Sequence, residues 1–419
     1  MDNAMDNPQD QKRLKIDRLG AGGDGVVDTP DGPIFVAGGL PGDVVNARIV
    51  GDRAKIESIE QKGDGRVDPV CRHFGVCGGC AVQGLAIPEY REWKRNKIST
   101  AFQARGLEVE VSDAIAVGHG ERRRATFTVS GSSRNLVFGF NAAKSHDVFE
   151  VAECPVLAPE IVAALPDLKA VAAFFVTPNQ PIRVSVTKCV NGLDVAFQDV
   201  KRALNADQLL ALATTAREAG FIKVTTNDEL VISQAAPVVA FGEAQVELPL
   251  GSFLQASLSA EREMANLILK AMPKKTKNVA DLFCGLGAFT FPLAKKYRVS
   301  AFDGDRGAIA ALTKSAGATA GIKPIKAVVR DLFQAPLSRV ELRDFDAVVF
   351  DPPRAGAIAQ AQALVKSKVA TVVAVSCNPA TLARDVRMLV DGGYAIKKVV
   401  PIDQFLYSPH IECIVTLTR

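Results

Sequence analysis

The sequence predicts an α/β fold whose main part is a Rossmann-like, doubly wound parallel sheet of seven strands. Hydrophobic strands alternate with helical stretches over residues 251–419, which is typical of parallel sheets with crossover helices. Residues 10–62 consist of short alternating segments broken by Gly, Asp and Pro, which is typical of a small OB-like β-barrel. Residues 63–250 mix strand-like and helical segments and predict an α+β middle domain.

The composition is that of an ordinary globular protein. The 419 residues are 48% hydrophobic and 23% charged, enough for two or three domains. No apolar run is long enough to cross a membrane, and the first residues, MDNAMDNPQDQKRLK, lack the apolar core of a signal peptide. We therefore expect a cytoplasmic protein with no membrane partner and no obligate protein partner. The formal net charge of +4 neither requires nor excludes nucleic acid.

The predicted barrel is short and therefore an appendage to the larger domains. Its strand-like segments are KIDRLGAGGDGVV, GPIFVAGGL, DVVNARIVG and AKIESIE. OB-type barrels commonly bind oligonucleotides, but a barrel of this size is equally a stable way to close a small sheet. RNA contact at this domain is thus one of two open alternatives.

Three of the eight cysteines crowd into the segment CRHFGVCGGC, as Cys71, Cys77 and Cys80. In a reducing compartment such crowding indicates a metal or a cluster rather than disulfides. Cys154, followed by Pro155, is the candidate fourth ligand, with Cys189 as its competitor. Zinc usually takes two paired knuckles, and this three-plus-one spacing fits a four-iron cluster better. Unligated cysteines are the remaining alternative.

Two basic segments follow the cysteines. IPEYREWKRNKISTAFQARG has helical periodicity and ends at Gly106, and its charged face needs no partner other than water. Arg122, Arg123 and Arg124 lead into the alternating segment TFTVSG, so their side chains point to both faces of a strand. A phosphate backbone and an internal carboxylate are both suitable anions for these guanidinium groups.

The last domain begins with a predicted helix from Phe253 to Met272. The predicted strands are NVADLF, VSAFD, KAVV, DAVVFD and VATVVAVS, followed by YAIKKVVPID and IECIVTLT. The final two have only a short connection between them, so we expect them to pair antiparallel at one edge of the sheet.

Polar and glycine residues follow the ends of these strands. The first strand leads into Phe283, Gly285 and Gly287, where glycines let the backbone approach a ligand. Asp303 ends the second strand, where a carboxylate can accept both ribose hydroxyls, and Asp331 follows the third, within reach of an adenine edge. Each acid alone also fits a solvated strand end or a helix cap. Together they predict a nucleotide-like ligand.

The fourth and fifth strands end in reactive groups. Asp351 precedes two prolines, which hold it in extended backbone, and Arg354 stands where amino-methylating enzymes carry an aromatic residue. Cys377 ends the fifth strand, and Pro379 begins a helix whose amino terminus favours a thiolate. A buried cysteine that acts as a small hydrophobic residue is the alternative.

Read together, these residues resemble the RNA uracil-5-methyltransferase family, specifically its iron–sulfur branch that modifies 23S rRNA. The segments that carry the resemblance are CRHFGVCGGCAVQ, RRRA, FLQ, DLFCGLGAFTFPLA, DPPRAG, SCNPATLARD and HIE, and the barrel resembles a TRAM domain. Two departures are Ala288, where relatives often carry a polar residue, and the segment Asp403 to Ser408 before HIE.

The resemblance implies roles for individual residues. It implies a [4Fe-4S] cluster held by Cys71, Cys77, Cys80 and Cys154. It places S-adenosylmethionine among Gln255, Phe283, Asp303, Asp331 and Asp351. It also makes Cys377 the nucleophile and Glu412 the base that resolves a covalent cysteine–uracil adduct, with the barrel and Arg122 to Arg124 holding the surrounding RNA.

Three hypotheses from different classes follow. The first is methylation of a uridine in 23S rRNA, or by the same chemistry in tRNA. The second is a non-catalytic RNA-binding protein on a methyltransferase fold, against which the presence of both Cys377 and Glu412 argues. The third is a cluster-based redox enzyme, which the missing dinucleotide fingerprint disfavours.

Overall fold

The computed structural model describes residues 11–132, 135–143 and 145–419. The predicted first residue of the barrel, residue 10, lies outside this range. Within the described part, the strands form sheets of six, seven and eight strands and one two-stranded hairpin. No described helix is long and apolar enough to cross a membrane.

The first sheet is small and strongly curved. Its strands are β1 (Gln11–Lys15), β2 (Arg18–Leu19), β3 (Gly25–Thr29), β4 (Gly32–Ala37), β5 (Val44–Val50) and β6 (Arg53–Gln61). They are ordered β1-β5-β6-β4-β3-β2, so the two edge strands are neighbours in the chain. Because only two residues separate them, the sheet must curl until its edges approach each other, around a core that contains Ile16, Val36 and Val45.

A helix and a short strand connect this sheet to the rest of the chain. They are α1 (Ile87–Gln103) and β7 (Ile115–Ala116). Pro88 occupies the first turn of α1, where its missing N–H costs nothing. Gly106, at φ +65°, follows the helix in the left-handed conformation that glycine adopts most easily. The indole Nε1 of Trp93 donates to the Gly20 carbonyl (3.1 Å), which docks the small sheet on α1.

The middle sheet has seven strands in the order β10-β9-β8-β11-β12-β13-β14. All neighbours pair antiparallel except β12 and β13. The elements are β8 (Arg124–Ser132), β9 (Asn135–Asn141), β10 (Val148–Glu150), α2 (Pro159–Ala163), α3 (Leu165–Ala172), β11 (Ile182–Cys189), β12 (Gly192–Gln198), α4 (Ala206–Glu218), β13 (Phe221–Thr226) and β14 (Glu229–Ser233). A hairpin follows, formed by β15 (Val238–Phe241) and β16 (Ala244–Glu247).

The last sheet is Rossmann-like, as the sequence predicts. Its order is β19-β18-β17-β20-β21-β23-β22-β7, and β23 alone among the described strands of this sheet runs antiparallel to its neighbours. The elements are α5 (Leu258–Ala271), β17 (Asn278–Leu282), α6 (Thr290–Ala294), β18 (Arg298–Asp303), α7 (Arg306–Ala318), β19 (Ile325–Val329), β20 (Ala347–Phe350), α8 (Ile358–Val365), β21 (Thr371–Ser376), α9 (Pro379–Asp391), β22 (Ala395–Asp403) and β23 (Glu412–Thr418).

Two features of this region differ from the sequence-based expectations. The helix predicted from Phe253 begins only at Leu258, with Ser257 as its cap, so the segment from Phe253 to Ser257 is free to line the site. In addition, α1 contributes Ile98 and Phe102 to the core of the last domain, and β7 pairs with β22 as an eighth strand. Residues expected in the middle domain therefore contribute to the core of the last domain and add an outermost strand to its sheet.

Candidate active site

The site lies at the carboxyl edge of the parallel strands, where loops from β17, β18, β20 and β21 meet. In a parallel sheet the strand ends share one edge, so residues far apart in sequence become neighbours there. The fully buried strands β20 and β21, rich in β-branched residues, hold this edge rigidly. Each predicted strand-end residue is found at this edge or in the loop that follows it.

The loop after β17 wraps around Asp303. The Gly285 N–H donates to Asp303 Oδ2 (2.8 Å), which ties the ends of β17 and β18 together. Phe283 adopts φ +59°, a conformation rarely taken by residues with a side chain. At Gly287, a Cβ atom would lie 2.9 Å from the Phe291 ring, so this position requires glycine. The glycines thus shape the loop as the sequence pattern indicates.

Asp331 is exposed and organises its own turn. Its Oδ1 accepts the N–H groups of Phe333 (2.9 Å) and Gln334 (3.2 Å). The Phe333 ring packs on Phe283, with centroids 5.3 Å apart. An aromatic pair therefore forms one wall beside Asp331, between the loops that follow β17 and β19.

Two buried carboxyl groups are joined by two glutamine side chains. Gln255 Nε2 donates to Asp351 Oδ2 (2.8 Å). Gln404 Nε2 donates both to Gln255 Oε1 (2.8 Å) and to Glu412 Oε2 (2.8 Å), while the Ala256 N–H donates to Gln404 Oε1 (3.0 Å). The network fixes Asp351 and Glu412 relative to each other. The sequence analysis missed Gln404, and its only signal there was its place just before HIE.

Burial changes the protonation of both carboxyl groups. It raises the pKa of Asp351 to about 7, against an opposing hydrogen bond from Gln255. Burial, together with the charge of Asp351, raises the pKa of Glu412 well above its ordinary value, while the hydrogen bond from Gln404 lowers it. Glu412 Oε1 is buried and has no hydrogen-bond partner among the described residues. One oxygen of this carboxyl group is therefore held in place and the other is available.

Cys377 lies half-buried immediately after β21, as predicted. Burial raises the pKa of its thiol, the charges of Glu412 and Asp351 raise it further, and Arg354 lowers it. The expected thiolate-favouring effect of the helix terminus is therefore outweighed in the free protein. Arg354 is held near the thiol by two contacts. Asn378 Nδ2 donates to the Arg354 carbonyl (2.9 Å), and Arg354 Nη2 lies 3.3 Å from His410 Nε2.

The three consecutive arginines face mainly inward. Arg123 is buried; it pairs with Glu261 and donates to the Gln255 carbonyl (2.9 Å). Its guanidinium is covered by protein and its anion is the internal carboxylate of Glu261, which is one of the two alternatives for these arginines. Arg122 and Arg124 are half-buried, and Arg122 Nε donates to the Arg124 carbonyl (3.1 Å).

Four cysteines line one small cavity. These are Cys71, Cys77, Cys80 and Cys154. Cys189, the competitor for the fourth position, lies instead in a separate apolar core, where burial raises the pKa of its thiol to about 12. Among the described residues, no group of three or more His, Cys, Asp or Glu side chains is arranged to hold a metal ion.

Comparison with known proteins identifies the family. The family model of tRNA (uracil-5-)-methyltransferases matches residues 173–419. An uncharacterised RNA methyltransferase of Brucella suis is 43% identical over 97% of this chain and 98% of its own. The 23S rRNA (uracil(1939)-C(5))-methyltransferase of Vibrio parahaemolyticus is 31% identical over 95% of this chain and 94% of its own.

A solved structure shows the same fold over nearly the whole chain. The tRNA (uracil-54, C5)-methyltransferase of Pyrococcus abyssi, in complex with S-adenosyl-L-homocysteine, superposes with a TM-score of 0.75. It is 22% identical and covers 97% of this chain and 100% of its own. The chain belongs to the tRNA (uracil-5-)-methyltransferase family and is an S-adenosylmethionine-dependent RNA (uracil-5-)-methyltransferase.

Proposed function

We propose that this protein methylates carbon 5 of a uridine in 23S rRNA through a temporary bond between Cys377 and the uracil ring. The observation that carries the proposal is the register of β21 and β23, in which Ser376 pairs with Cys413 and so brings the next residues, Cys377 and Glu412, together at one sheet edge. A nucleophile and a buried carboxyl group are the two groups that this chemistry requires.

The nucleophile is needed because carbon 5 of uracil is a weak nucleophile. Cys377 adds to carbon 6 as its thiolate, and the electron pair of the 5,6 double bond moves onto carbon 5 and the adjacent O4 carbonyl as an enolate. S-adenosylmethionine supplies the methyl group as an electrophilic sulfonium. Arg354 is placed to support Cys377, because its guanidinium lowers the pKa of the thiol. A uracil stacked inside a helix is out of reach, so the target must be unpaired or flipped out.

The carboxyl group is needed to release the product. After methylation, carbon 5 still carries a hydrogen and carbon 6 still carries sulfur. Glu412 takes that proton, the electron pair restores the 5,6 double bond, and the sulfur leaves as the Cys377 thiolate. Oε1 suits this role because it is buried and has no hydrogen-bond partner in the described part of the chain, while Gln404 holds Oε2 (2.8 Å).

The loops at the same edge suit S-adenosylmethionine. In this proposal Asp303 binds the ribose hydroxyls, and Phe283 lines the adenine pocket with Asp331 at its edge. Gly285 and Gly287 keep the backbone close to the cofactor. Gln255 and Asp351, joined by a hydrogen bond (2.8 Å), are proposed to contact the cofactor as well.

The choice of 23S rRNA over tRNA rests on the relatives. The Vibrio enzyme whose name specifies 23S rRNA matches nearly the full length of both chains at 31% identity. The Pyrococcus enzyme, whose name specifies tRNA, is only 22% identical. Methylation of a tRNA uridine therefore remains the second candidate. The barrel, a TRAM-like domain, and the half-buried Arg122 and Arg124 are proposed to hold the surrounding RNA.

We further propose that the cavity lined by the four cysteines holds a [4Fe-4S] cluster. Its four thiols come from two segments, Cys71 to Cys80 and Cys154, and the Gly79 N–H already donates to Cys77 Sγ (3.4 Å). A [4Fe-4S] cluster is held by four cysteine thiolates, which matches the cysteines that line this cavity. When bound, it supplies covalent links between the two segments. Gln83 and Cys71 are joined by a further hydrogen bond (3.1 Å) that shapes the loop.

The proposal is tested with purified enzyme, labelled S-adenosylmethionine and two RNAs, unmodified 23S rRNA and unmodified tRNA. We expect labelled 5-methyluridine at one position of 23S rRNA. Cys377→Ala should abolish the labelling, whereas Cys189→Ala, a change in a separate core, should preserve it. Labelling of tRNA alone would select the second candidate, and a fully active Cys377→Ala enzyme would refute the covalent mechanism.

A further inference from the structure

The segment that carries Gln404 and leads into Glu412 is held by buried polar groups from outside the last domain. This base loop, residues 403–412, leaves β22 at Asp403 and enters β23 at Glu412. The groups that form hydrogen bonds with the base loop come from α1 and from the loop that carries Cys80. They are separated from the base loop by about three hundred residues of sequence, so their convergence is a property of the fold.

Lys94 on α1 is completely buried and reaches both ends of the base loop. Its Nζ donates to Asp403 Oδ1 (2.8 Å) at the beginning of the loop and to the His410 carbonyl near the end. A longer contact joins it to the Phe405 carbonyl (3.4 Å). An ammonium group has three N–H donors, and the three oxygen atoms that Lys94 Nζ contacts all belong to this one loop.

Tyr90, one turn earlier on α1, forms hydrogen bonds with the beginning and the apex of the base loop. Its hydroxyl donates to Asp403 Oδ2 and accepts the Tyr407 N–H (2.9 Å). Tyr407 has φ +61°, and its carbonyl accepts the N–H groups of Ala81 (2.8 Å) and Val82 (3.2 Å), immediately after Cys80. The apex of the base loop is thereby joined to both α1 and the cysteine loop.

Such a network specifies a conformation more than it adds stability. Taking Lys94 and Asp403 out of water costs free energy that their attraction only partly returns, and well-packed apolar residues often replace such a pair without loss. The hydrogen bonds, in contrast, determine where the loop runs. Gln404 follows Asp403 directly and holds Glu412, so a shift of Asp403 moves the base itself.

We propose that Lys94 is a positioning residue for proton removal, acting through the base loop to hold Gln404 and Glu412 against the uracil. This inference rests on the proposed function, because it assigns Lys94 to one step of that mechanism. A misplacement of about 1 Å can cost roughly 100-fold in a catalytic step. Lys94 should therefore act more on release of the adduct than on its formation, because Gln404 belongs to the base loop, whereas Cys377 follows β21.

The test uses Lys94→Met combined with Asp403→Asn, so that no uncompensated charge stays buried and the Tyr90 hydrogen bond is retained. The matched control is Lys223→Met with Asp194→Asn, which removes the ion pair (3.5 Å) between two mostly buried side chains of the middle sheet. Tyr90→Phe is a milder second variant. The affinity for S-adenosylmethionine and the melting temperature are measured for the wild type and for each variant, to show whether the variant is folded.

Two rates are measured in single turnovers on a uridine-containing RNA. One is incorporation of labelled methyl groups into the protein–RNA adduct, and the other is release of RNA from that adduct. For the Lys94→Met, Asp403→Asn enzyme we expect cofactor affinity and methyl incorporation within about threefold of wild type, and adduct release slower by about tenfold to 100-fold. Tyr90→Phe should slow release to a smaller extent, and the control should slow neither rate.

Adduct release at the wild-type rate in the Lys94→Met, Asp403→Asn enzyme would overturn the inference. A parallel fall of both rates and of cofactor affinity, with wild-type behaviour in Tyr90→Phe, would also overturn it, because it indicates loss of structure alone. Failure of the proposed function gives a different result, in which the wild-type enzyme and Glu412→Gln form no adduct at all.

Discussion

The two oxygens of Glu412 have different surroundings, and this difference defines its role. Oε2 accepts a hydrogen bond from Gln404, while Oε1 is buried and unpartnered within the described chain. Burial raises the pKa of this carboxyl group. It is therefore ionised, and able to act as a base, only at a pH above that at which a glutamate normally ionises. Product release should therefore slow as the pH falls through the raised pKa of Glu412.

Gln404→Leu should shift this pH dependence upward. The Gln404 hydrogen bond favours the ionised carboxylate, so its removal raises the pKa of Glu412 further. We expect the acid limb of adduct release to move to higher pH, measured on preformed adduct so that titration of Cys377 does not contribute. Gln360→Leu, which removes another buried glutamine that bridges backbone groups of Leu337, is the control. An unchanged acid limb in Gln404→Leu would contradict this role.

Asp281 makes a separate contribution to the pH dependence of stability. It is buried, Thr290 donates to its Oδ2 (2.6 Å), and burial raises its pKa from 3.8 to about 7. Between these pH values the unfolded chain loses this proton while the folded chain keeps it. The stability contributed by the protonated group is thus complete below pH 3.8 and is lost as the pH rises through about 7.

Asp281→Asn should therefore flatten the pH dependence of stability in the free enzyme. Denaturant titrations at pH 4 and pH 7 should show that Asp281 contributes a fall of up to about 4 kcal/mol in the wild-type free energy of unfolding over this range. The variant should lose that part of the fall, whereas Asp207→Asn, a change on the exposed face of α4, should leave it intact. Equal slopes for Asp281→Asn and the wild type would show that Asp281 does not carry the effect.

At the scale of elements, α9 connects the nucleophile to Arg354. Asn378 caps α9 by accepting the Ala380 N–H (3.1 Å), and its Nδ2 donates to the Arg354 carbonyl (2.9 Å). Buried residues at helical spacing, including Leu382, Val386 and Leu389, fix the helix against the sheet. One cap residue therefore both starts the helix and places Arg354 beside Cys377.

Asn378→Ala should reduce stability and adduct formation together. Loss of the cap should cost about 1 kcal/mol in the free energy of unfolding. Formation of the Cys377 adduct should slow, because the Arg354 carbonyl loses the Asn378 hydrogen bond and keeps only that from Thr381 (3.1 Å). Asn205→Ala removes the cap of α4, where Asn205 accepts the Gln208 N–H (2.9 Å), and serves as the matched control. It should cost similar stability with no change in adduct formation, and equal slowing in both variants would contradict the link.

The strand-end residues were predictable because parallel strands place their carboxyl ends together. Asp303, Asp351 and Cys377 each follow a hydrophobic strand, so the pattern alone indicates their shared edge. Gln404 and the burial of Arg123 were not predictable, because they depend on contacts between segments more than one hundred residues apart. The packing of α1 on the last domain is a contact of the same kind and has no local signal.

At the scale of the whole molecule, the cysteine cavity joins segments on either side of the middle sheet's first strands. Cys71, Cys77 and Cys80 precede α1, and Cys154 follows β10. Backbone bonds from Gly78 to Asn141 (3.4 Å) and from Ala143 to Val76 (2.8 Å) hold the cysteine loop on that sheet. A cluster in the cavity would therefore connect the middle sheet to the cysteine loop, which in turn is hydrogen-bonded to the base loop through Ala81 and Val82.

Cys154→Ser should lower the iron content and visible absorbance of anaerobically purified protein, because it removes one of the four proposed ligands. Cys189→Ser should retain both, since Cys189 lies in a separate core. Iron and acid-labile sulfide are measured per chain. Wild-type iron in Cys154→Ser, or iron loss in Cys189→Ser alone, would contradict the assignment of the fourth ligand.

The bond between Cys377 and the uracil ring is the central claim, and mass spectrometry of a trapped adduct tests it most directly. Glu412→Gln enzyme is incubated with 23S rRNA and S-adenosylmethionine, digested with protease and nuclease, and its peptides are sequenced. We predict a peptide in which Cys377 carries a methylated uridine, and no such peptide from Cys377→Ala, Glu412→Gln enzyme. Free 5-methyluridine at the wild-type rate, with Cys377 unmodified throughout the reaction, would contradict the account.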